Sequence, residues 1–308
     1  MIETPATVRI DTPEAGRLMR LATYASVAAA LVLIVAKTGA WLATDSIALL
    51  SSLVDSLLDV IASLVTLVAV RHALSPADRE HRFGHGKAEA LAALSQSAFV
   101  VGSAVLLLFE AGKRLLQPKP VEESDIGIAV MVFSIVVTLA LVTLQKWVVK
   151  RSGSVAIAAD SLHYKGDLLV NIAVIVALVL STNFGWILAD PLFGVAITGY
   201  IIYNAWLILK SSLDMLMDRE LSDEDRQRIR DIAVAHDAVE EVHDLRTRRS
   251  GQTCFIQFHL ELDGDMRLMQ AHEIADAVEL AVRKAFPGAE VIIHQDPAGL
   301  DEGHEQFA

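Results

Sequence analysis

Two pairs of ionisable residues interrupt segments that are otherwise almost wholly apolar. Asp55 and Asp59 are four residues apart in the first segment, and His163 and Asp167 are four apart in the second. At this spacing both members of a pair lie on one face of a helix. If the two helices pack together, three carboxylates and one imidazole form a four-ligand set that suits zinc or cadmium and accommodates ferrous iron.

Other interpretations of these pairs stay open. Each pair could be a polar contact between helices, or the four groups could belong to a proton channel. Asp160, on the same side of its helix as His163, either lines a water path or caps a helix. A polar stripe at steps of three and four along the first of these helices is predicted to face protein, because buried carboxylates are costly in lipid. The stripe consists of Ser52, Asp55, Asp59, Ser63 and Thr66.

A membrane domain must position these residues. Of the 308 residues 53% are hydrophobic, and they form blocks of about 20, the length that spans ~30 Å of hydrocarbon. Lys37 interrupts the first block near enough to its end for the ammonium group to reach the interface. Thr44 or Asp45 is the expected N-cap of the second helix. The six-helix domain is predicted over residues 21–213, with spans at 21–42, 46–70, 88–116, 126–149, 155–180 and 189–213.

The distribution of charge predicts the orientation in the membrane. The N-terminal segment, residues 1–20, and the loops after the second and fourth spans hold ten Lys and Arg residues, against three on the other side. Cytoplasmic loops carry this excess, so both termini are predicted to be cytoplasmic in an inner (plasma) membrane protein without a cleavable signal peptide. The net charge of −12 argues against a nucleic-acid partner, and the single cysteine, Cys254, excludes an internal disulfide.

The residues after 213 predict a separate aqueous domain over 222–300, joined by a linker at 214–221. A capping box at Ser222 opens the first helix, and Ser250-Gly251 is a good hairpin turn. The order αββαβ predicts helices on one face of a three-stranded sheet, followed by a flexible tail at 301–308. The predicted elements are a helix over 222–235, strands over 242–249 and 253–262, a helix over 268–286 and a strand over 290–295.

A second cluster of possible metal ligands lies in the loop between the second and third spans. Asp78, His81 and His85 are spaced by three and four residues, so a short helical turn could present all three to one ion. Three ligands leave the fourth position to water and predict weak binding. A solvated basic loop explains the same residues equally well.

Several histidines lie outside these two clusters. His294 and Asp296, two residues apart on a strand, point to the same side of the sheet. Any one histidine of the C-terminal domain is more often a surface residue than a ligand. His72, His236 and His304 do not belong to any of these groups of candidate ligands and are predicted to be solvent-exposed.

The chain resembles the cation diffusion facilitator family, and within it the bacterial branch that exports zinc and ferrous iron. The resemblance rests on DxxxD in the second span, HxxxD in the fifth, six spans and the αββαβ tail. Four stretches extend it over nearly the whole chain: FGHGKAEALAALSQS, HDLRTRRSG, QAHEIAD and VIIHQDP. It implies a homodimer with a metallochaperone-like, ferredoxin-like cytoplasmic domain, and a transport site formed by DxxxD with HxxxD. Zinc-restricted relatives have His in place of Asp55, so it implies a broader range of Zn²⁺, Fe²⁺ and Cd²⁺.

The resemblance also implies roles for residues outside the transport site. It assigns a metal site to Asp78, His81 and His85 and makes Leu162 a gate. It pairs Lys87 with Asp218 near the dimer contact. In the cytoplasmic domain it implies a site for two zinc ions that share Asp296 near the subunit interface. The ligands of that site are His243, His259, His272, His294 and Asp296.

These observations predict a secondary active transporter rather than an enzyme. The sequence contains no Walker A loop, no phosphorylatable DKTG and no HExxH. Metal and protons compete for the imidazole of His163, a side chain with a reference pKa of ~6.5. The expected function is export of divalent cations in exchange for protons by alternating access, with the cytoplasmic metal sites stabilising the dimer and regulating transport. A membrane-anchored metal sensor is the alternative, but an anchor has no use for four buried polar groups.

Overall fold

The computed structural model describes residues 12–45, 47–117, 125–186 and 188–299. In this part of the chain six helices are long and apolar enough to cross a membrane, which confirms the predicted number of spans. The predictions for residues 1–11, for the tail at 301–308 and for His304 lie outside the described residues. The six helices are α1 (Thr12–Thr44), α2 (Ile47–Ala73), α3 (Lys87–Leu116), α4 (Asp125–Ser152), α5 (Val155–Phe184) and α6 (Ala189–Leu216).

Thr44 and Asp45 lie at the C-terminal end of α1. Thr44 is the last residue of α1, and its hydroxyl donates a hydrogen bond to the Ala40 carbonyl at 2.9 Å. Asp45 has a φ of 51°, in the left-handed region, and its N–H donates to the Trp41 carbonyl at 2.7 Å. Both residues therefore terminate α1, and the cap of α2 at one of them stays a prediction.

Helix α5 lies at the centre of the helical unit. It packs along α3 and α4 and also contacts α2. Its first turn is capped by Ser154, whose hydroxyl accepts the Ile157 N–H at 3.2 Å. Small residues let helices approach closely in membranes, and a Cβ added at Gly166 of α5 would lie 3.1 Å from Ile201 Cδ1 of α6. The positions of side chains on α5 are therefore set by contacts on several sides.

The residues from 214 onward form a second compact unit with the predicted αββαβ order. In the sheet β1 pairs antiparallel with β2, and β2 pairs parallel with β3. Both helices pack on the face formed by alternate residues of β2, where Phe258 is buried with Ile229 and Val282. The opposite face of β2 carries His259. The elements are α7 (Asp223–Val234), β1 (Glu241–Ser250), β2 (Thr253–Leu262), α8 (Leu268–Ala285) and β3 (Glu290–Pro297).

Candidate metal centres

Three of the four predicted ligands in the helical unit lie together where α2 meets α5. Asp59, His163 and Asp167 each have one donor atom within 4.8 Å of the others. His163 Nε2 is 2.8 Å from Asp59 Oδ1 and 3.7 Å from Asp167 Oδ2. The His163 side chain is 7% exposed, so the site is largely shielded from solvent. These three residues, called the helix cluster below, offer one nitrogen and two carboxylates to a cation.

Asp55 is exposed and lies outside the helix cluster. The buried seam of α2 follows a seven-residue repeat: Leu49, Ser56, Ser63 and Val70. Successive residues of a helix are rotated by about 100° about its axis. The side chain of Asp55 therefore points away from Ser56 and out of the buried seam. The prediction that the whole polar stripe faces protein is wrong at Asp55, although Ser63 and Thr66 are buried.

Neighbouring side chains that the sequence analysis missed fix the His163 ring. The rings of Phe99 and Tyr164 meet it edge-on, with centroids 5.6 Å and 5.3 Å away. The Tyr164 hydroxyl lies 2.7 Å from the Ser63 hydroxyl and donates to the Ser26 carbonyl at 3.3 Å. A tyrosine beside a histidine in an apolar span needs such a partner for its hydroxyl, and this was the available signal.

Asp160 is fully buried at the centre of a polar network that joins four helices. Its carboxylate accepts hydrogen bonds from Ser26 Oγ of α1 at 2.6 Å and from Gln145 Nε2 of α4 at 2.7 Å. Gln96 Nε2 of α3 donates to it at 3.4 Å. Since Ser154 caps α5, the alternative that Asp160 caps this helix is wrong. Asp160 instead ties α5 to its neighbours one turn before His163.

Lys37 of α1 turns inward towards α2. Its Nζ donates to the Ser56 hydroxyl at 2.7 Å and to the Ser52 carbonyl at 3.1 Å. The prediction that this ammonium group reaches the membrane interface is wrong, because the two acceptors on α2 hold it inside the bundle. Lys37 thereby interacts electrostatically with Asp55 and Asp59 and places a positive charge beside the helix cluster.

The loop between α2 and α3 brings Asp78, His81 and His85 together, and these residues are called the loop cluster below. One donor atom from each lies within 4.8 Å of the others. The predicted helical turn is wrong, because Asp78 Oδ1 accepts the N–H groups of His81 at 2.7 Å and Glu80 at 2.9 Å and forms a competing turn. The His81 N–H also holds the pKa of Asp78 below its ordinary value. The carboxylate is therefore charged at neutral pH.

His72 is exposed as predicted, but it stands beside the loop cluster. Its ring centroid is 4.4 Å from that of His85, and the His81 ring lies 4.6 Å from His85 on the same measure. The prediction that His72 lies apart from the candidate ligands is therefore wrong. The loop folds back on the end of α2, and the linear spacing of the residues does not reveal this.

In the second unit the strand register aligns three histidines. His243 of β1 pairs with His259 of β2, which pairs with His294 of β3, so all three share one face of the sheet. Asp296 reaches each of them. Its Oδ2 is 2.7 Å from His259 Nδ1 and 3.4 Å from His243 Nε2, and its Oδ1 is 3.1 Å from His294 Nε2. These four residues, the sheet cluster, surround a central carboxylate that is 4% exposed.

Two acidic residues beside the sheet cluster were missed. Glu261 Oε1 is 3.2 Å from His243 Nδ1, and Asp244 Oδ2 is 3.8 Å from His259 Nε2. Glu261 could have been found, because it lies two residues from His259 and shares its face of the strand. Asp244 could not, because it lies at a register shift in β1 with a φ of 46°, and such irregularities redirect a side chain.

Two other histidines of the second unit lie apart from the sheet cluster. His272 is exposed on α8, where its Nε2 is 3.5 Å from Asp276 Oδ2. Its predicted part in the site at the subunit interface stays a prediction. His236 is half-buried, and its Nδ1 accepts the Ala238 N–H at 3.3 Å. The prediction that His236 is solvent-exposed is therefore wrong.

The remaining predicted residues have ordinary local contacts. Leu162 is buried in an apolar cluster with Ala93 of α3 and Ile201 of α6, next in sequence to His163. Asp218 Oδ1 is 3.4 Å from an Arg248 guanidinium nitrogen within the second unit. The gate at Leu162 and the pair of Lys87 with Asp218 stay predictions.

Comparison with known proteins identifies the family. The family described as Cation efflux transmembrane domain matches residues 23–217, and Cation efflux protein, cytoplasmic domain, matches residues 221–298. The Cation-efflux pump FieF of Shewanella oneidensis is 53% identical over 92% of this chain and 95% of its own. A pump of the same name from Klebsiella pneumoniae is 48% identical over 94% of this chain and 97% of its own. Another from Pectobacterium carotovorum is 50% identical over 92% of this chain and 95% of its own. A solved structure of CzrB, a candidate zinc transporter, in its zinc form is 41% identical, covers 27% of this chain and 96% of its own, and has a TM-score of 0.25. The chain therefore belongs to the cation diffusion facilitator family, in its FieF-like branch of cation-efflux transporters.

Proposed function

We propose that this cation-efflux transporter exports Zn²⁺, and also Fe²⁺ and Cd²⁺, from the cytoplasm in exchange for protons. The observation that carries the proposal is the position of His163 Nε2, 2.8 Å from Asp59 Oδ1 and 3.7 Å from Asp167 Oδ2. A proton and a divalent cation compete for the same nitrogen lone pair. A set of nitrogen and oxygen donors without thiolate favours zinc, cadmium and ferrous iron over copper(I).

Alternating access couples the two ions in this proposal. In the inward-facing state the neutral imidazole and the carboxylates take up the cation. In the outward-facing state His163 takes up a proton and the cation leaves, since a protonated imidazole is no ligand. Histidine suits this exchange because its reference pKa, ~6.5, lies close to physiological pH. The proton gradient then drives export, because affinity for the cation differs between the two states.

Asp55 is the proposed fourth ligand of the transport site. It lies one helical turn before Asp59 on α2, and α2 contacts α5 less extensively than α3 or α4 does. A movement of α2 against α5 is therefore the proposed way to bring Asp55 to the helix cluster. Three carboxylates leave one negative charge around a divalent ion, and the ammonium of Lys37 offsets it.

The second unit is proposed to be a cytoplasmic dimerisation domain. Its sheet cluster, with His272, binds two zinc ions that share Asp296 and stabilise a homodimer, and this occupancy regulates transport. Support comes from the arrangement of the sheet cluster, in which the nearly buried carboxylate of Asp296 lies within 2.7 to 3.4 Å of ring nitrogens of three histidines. Histidine nitrogens and a carboxylate converging in this way are ligands that zinc prefers.

The orientation and the roles of three further elements belong to the same proposal. Both termini face the cytoplasm in the inner membrane, in agreement with the uneven distribution of Lys and Arg. Leu162 acts as an apolar gate beside His163, and the pair of Lys87 with Asp218 stabilises the dimer contact. Asp160 positions α5 through its three donors instead of binding the cation.

Zinc flux into liposomes under an imposed pH gradient tests the proposal. Wild-type protein should accumulate zinc inside the liposomes, driven by protons that move out down their gradient. Asp59→Ala and His163→Ala should abolish this flux. Asp125→Asn, at the exposed start of α4, is the matched control and should transport normally. Equal flux from wild type and His163→Ala would reject the site. Flux that ignores the gradient would reject proton coupling and leave the site intact.

A further inference from the structure

The loop cluster has a fourth candidate ligand that the family-implied set of three omits. His72 lies on the last turn of α2 and is exposed. Its ring centroid is 4.4 Å from that of His85, at an angle of 58° between the ring planes. His81 approaches His85 from a second direction, with the ring centroids 4.6 Å apart. Three imidazoles and the Asp78 carboxylate therefore crowd into one place.

An unsatisfied buried nitrogen lies within this group. The His85 side chain is 6% exposed, and its Nε2 is 3.4 Å from Asp78 Oδ2. Its Nδ1 is buried and has no hydrogen-bond partner among the residues that the structure describes. An unpaired polar atom at this depth destabilises the folded state. The other ring nitrogen, Nε2, faces the Asp78 carboxylate and is the candidate metal donor of His85.

The backbone that carries these side chains is fixed by its own hydrogen bonds. The Ser75 N–H donates to the His72 carbonyl, and the Gly84 N–H donates to the His81 carbonyl, both at 2.9 Å. Gly84 has a φ of 75°, which glycine adopts without strain. The Asp78 carboxylate closes the remaining turn through the His81 N–H. The candidate ligands therefore project from an ordered loop and a helix end.

We propose that His72 is the fourth ligand of the loop site and closes it around a divalent cation of the zinc type. This inference rests on the proposed metal site at Asp78, His81 and His85. The donor atoms of His72 are not within the 4.8 Å group of the other three, so binding requires its exposed imidazole to rotate towards them. Exposed side chains change rotamer within nanoseconds.

The fourth ligand changes what the site does. A zinc ion with three protein ligands and one water is open to exchange, whereas four protein ligands form a closed, structural site. With His72 the loop site retains its ion during transport and joins the end of α2 to the loop that precedes α3. Affinity should accordingly be higher than three ligands alone provide.

Two substitutions at position 72 test whether His72 acts as a metal ligand or only as a packing residue. His72→Tyr keeps an aromatic ring against His85 but removes the nitrogen donors, whereas His72→Asp removes the ring but keeps a donor. Both are made in the full chain with Asp59→Ala, His163→Ala, His259→Ala and Asp296→Ala, so that the loop site alone is measured. Zinc affinity is determined by competition with a chromophoric chelator, and the visible absorption of bound Co²⁺ reports whether the fourth ligand is an imidazole or water.

The proposal expects His72→Tyr to raise the zinc Kd tenfold or more and to shift the visible absorption of bound Co²⁺. His72→Asp should keep the Kd within a few-fold of the parent. The reverse order would make His72 a packing residue and overturn the proposal, as would unchanged values for both variants. Failure of the parent chain to bind zinc would remove the loop site and this inference together, while the liposome assay would still test the helix cluster separately.

Discussion

When the proposed ligand Asp55 is included, the charged residues of the transport site balance the charge of one divalent cation. Asp55, Asp59 and Asp167 are three carboxylates on two helices, and Lys37 donates to α2 beside them. Three negative charges, one ammonium and a divalent ion sum to zero. Buried ions are tolerated when they are paired in this way, so the composition of the site matches the charge of its proposed cargo.

Lys37→Gln should strengthen zinc binding to the transport site. The ammonium repels an incoming cation, and its removal is expected to lower the zinc Kd by about threefold to tenfold. Calorimetric titration of protein without functional loop and sheet clusters measures this, with Lys210→Gln on exposed α6 surface as the control. Weaker binding by Lys37→Gln would mean that Lys37 serves only to hold α1 against α2.

Acidification should empty the loop site through its histidines and not through Asp78. The His81 N–H holds the pKa of Asp78 below its ordinary value, so the contribution of this charge is present at neutral pH and lost only as the pH falls through that lowered pKa. A histidine binds a metal ion only as the neutral imidazole, so protons compete with zinc for it. Zinc titrations on the isolated loop site between about pH 8 and 5 should therefore show progressive loss of zinc as the pH falls. Asp78→Asn should weaken zinc binding to the loop site at every pH. Zinc release with a midpoint near pH ~4 would contradict the prediction that the histidines lose the ion.

Residue spacing predicted the participants better than it predicted their contacts. Helical periodicity was enough to single out Asp59, His163 and Asp167, which the structure brings together. It placed Asp55 with them because it could not show where the buried seam of α2 runs. It also predicted a helical turn at Asp78, where a side chain that binds the backbone forms a different turn.

At the scale of elements, α5 carries two of the four proposed ligands and the polar network that fixes this helix. Asp160 accepts hydrogen bonds from α1, α3 and α4 one turn before His163. A buried carboxylate with several donors is strongly held, and removing its charge leaves the donors badly matched. The rigidity of α5 therefore depends on a residue that binds no metal.

Asp160→Asn should destabilise the helical unit without removing the transport ligands. Gln145 donates to one carboxylate oxygen and Gln96 to the other, so the amide NH₂ of asparagine would face one of these donors in either orientation. The mismatch is expected to cost about 1–3 kcal/mol. Thermal unfolding of the protein in detergent micelles measures the loss, and Asp125→Asn at an exposed position is the control. A melting temperature equal to that of wild type would show that the network does not hold α5.

The elements themselves follow from the sequence, but their ends and partners do not. Apolar blocks of spanning length predicted α1 to α6, and alternating patterns predicted the αββαβ order. The start of α1 at Thr12 was missed because a helix continues into polar residues beyond the apolar block. Ser26, Gln96 and Gln145 lie on three different helices, so no local pattern links them to Asp160.

At the scale of the whole molecule, the helical unit and the C-terminal unit each contain candidate metal sites of their own. The helix cluster is built from two helices, whereas the sheet cluster is built from the register of three strands. The C-terminal unit has its own apolar core around Phe258, so metal binding adds to a fold that is already packed. This arrangement fits a domain that responds to zinc without transporting it.

Asp296→Ala should abolish the stabilisation of the homodimer by zinc. A ligand at 100 times its Kd stabilises the state that binds it by about 2.7 kcal/mol, and Asp296 is the residue that contacts all three histidines. Light scattering and thermal unfolding with and without zinc measure the effect on the full chain. His236→Gln is the matched control, because this half-buried histidine lies apart from the cluster. An undiminished response to zinc in Asp296→Ala would contradict the assignment.

The central claim is that one cation is held in the membrane by Asp55, Asp59, His163 and Asp167. X-ray absorption at the zinc edge tests it on full-length protein whose loop and sheet ligands have been replaced. The account predicts one zinc per chain with a single imidazole and oxygen donors. His163→Ala should remove the imidazole signature, and Asp55→Ala should lower the number of carboxylate donors. Two or more imidazoles, or a spectrum that His163→Ala leaves unchanged, would contradict the claim.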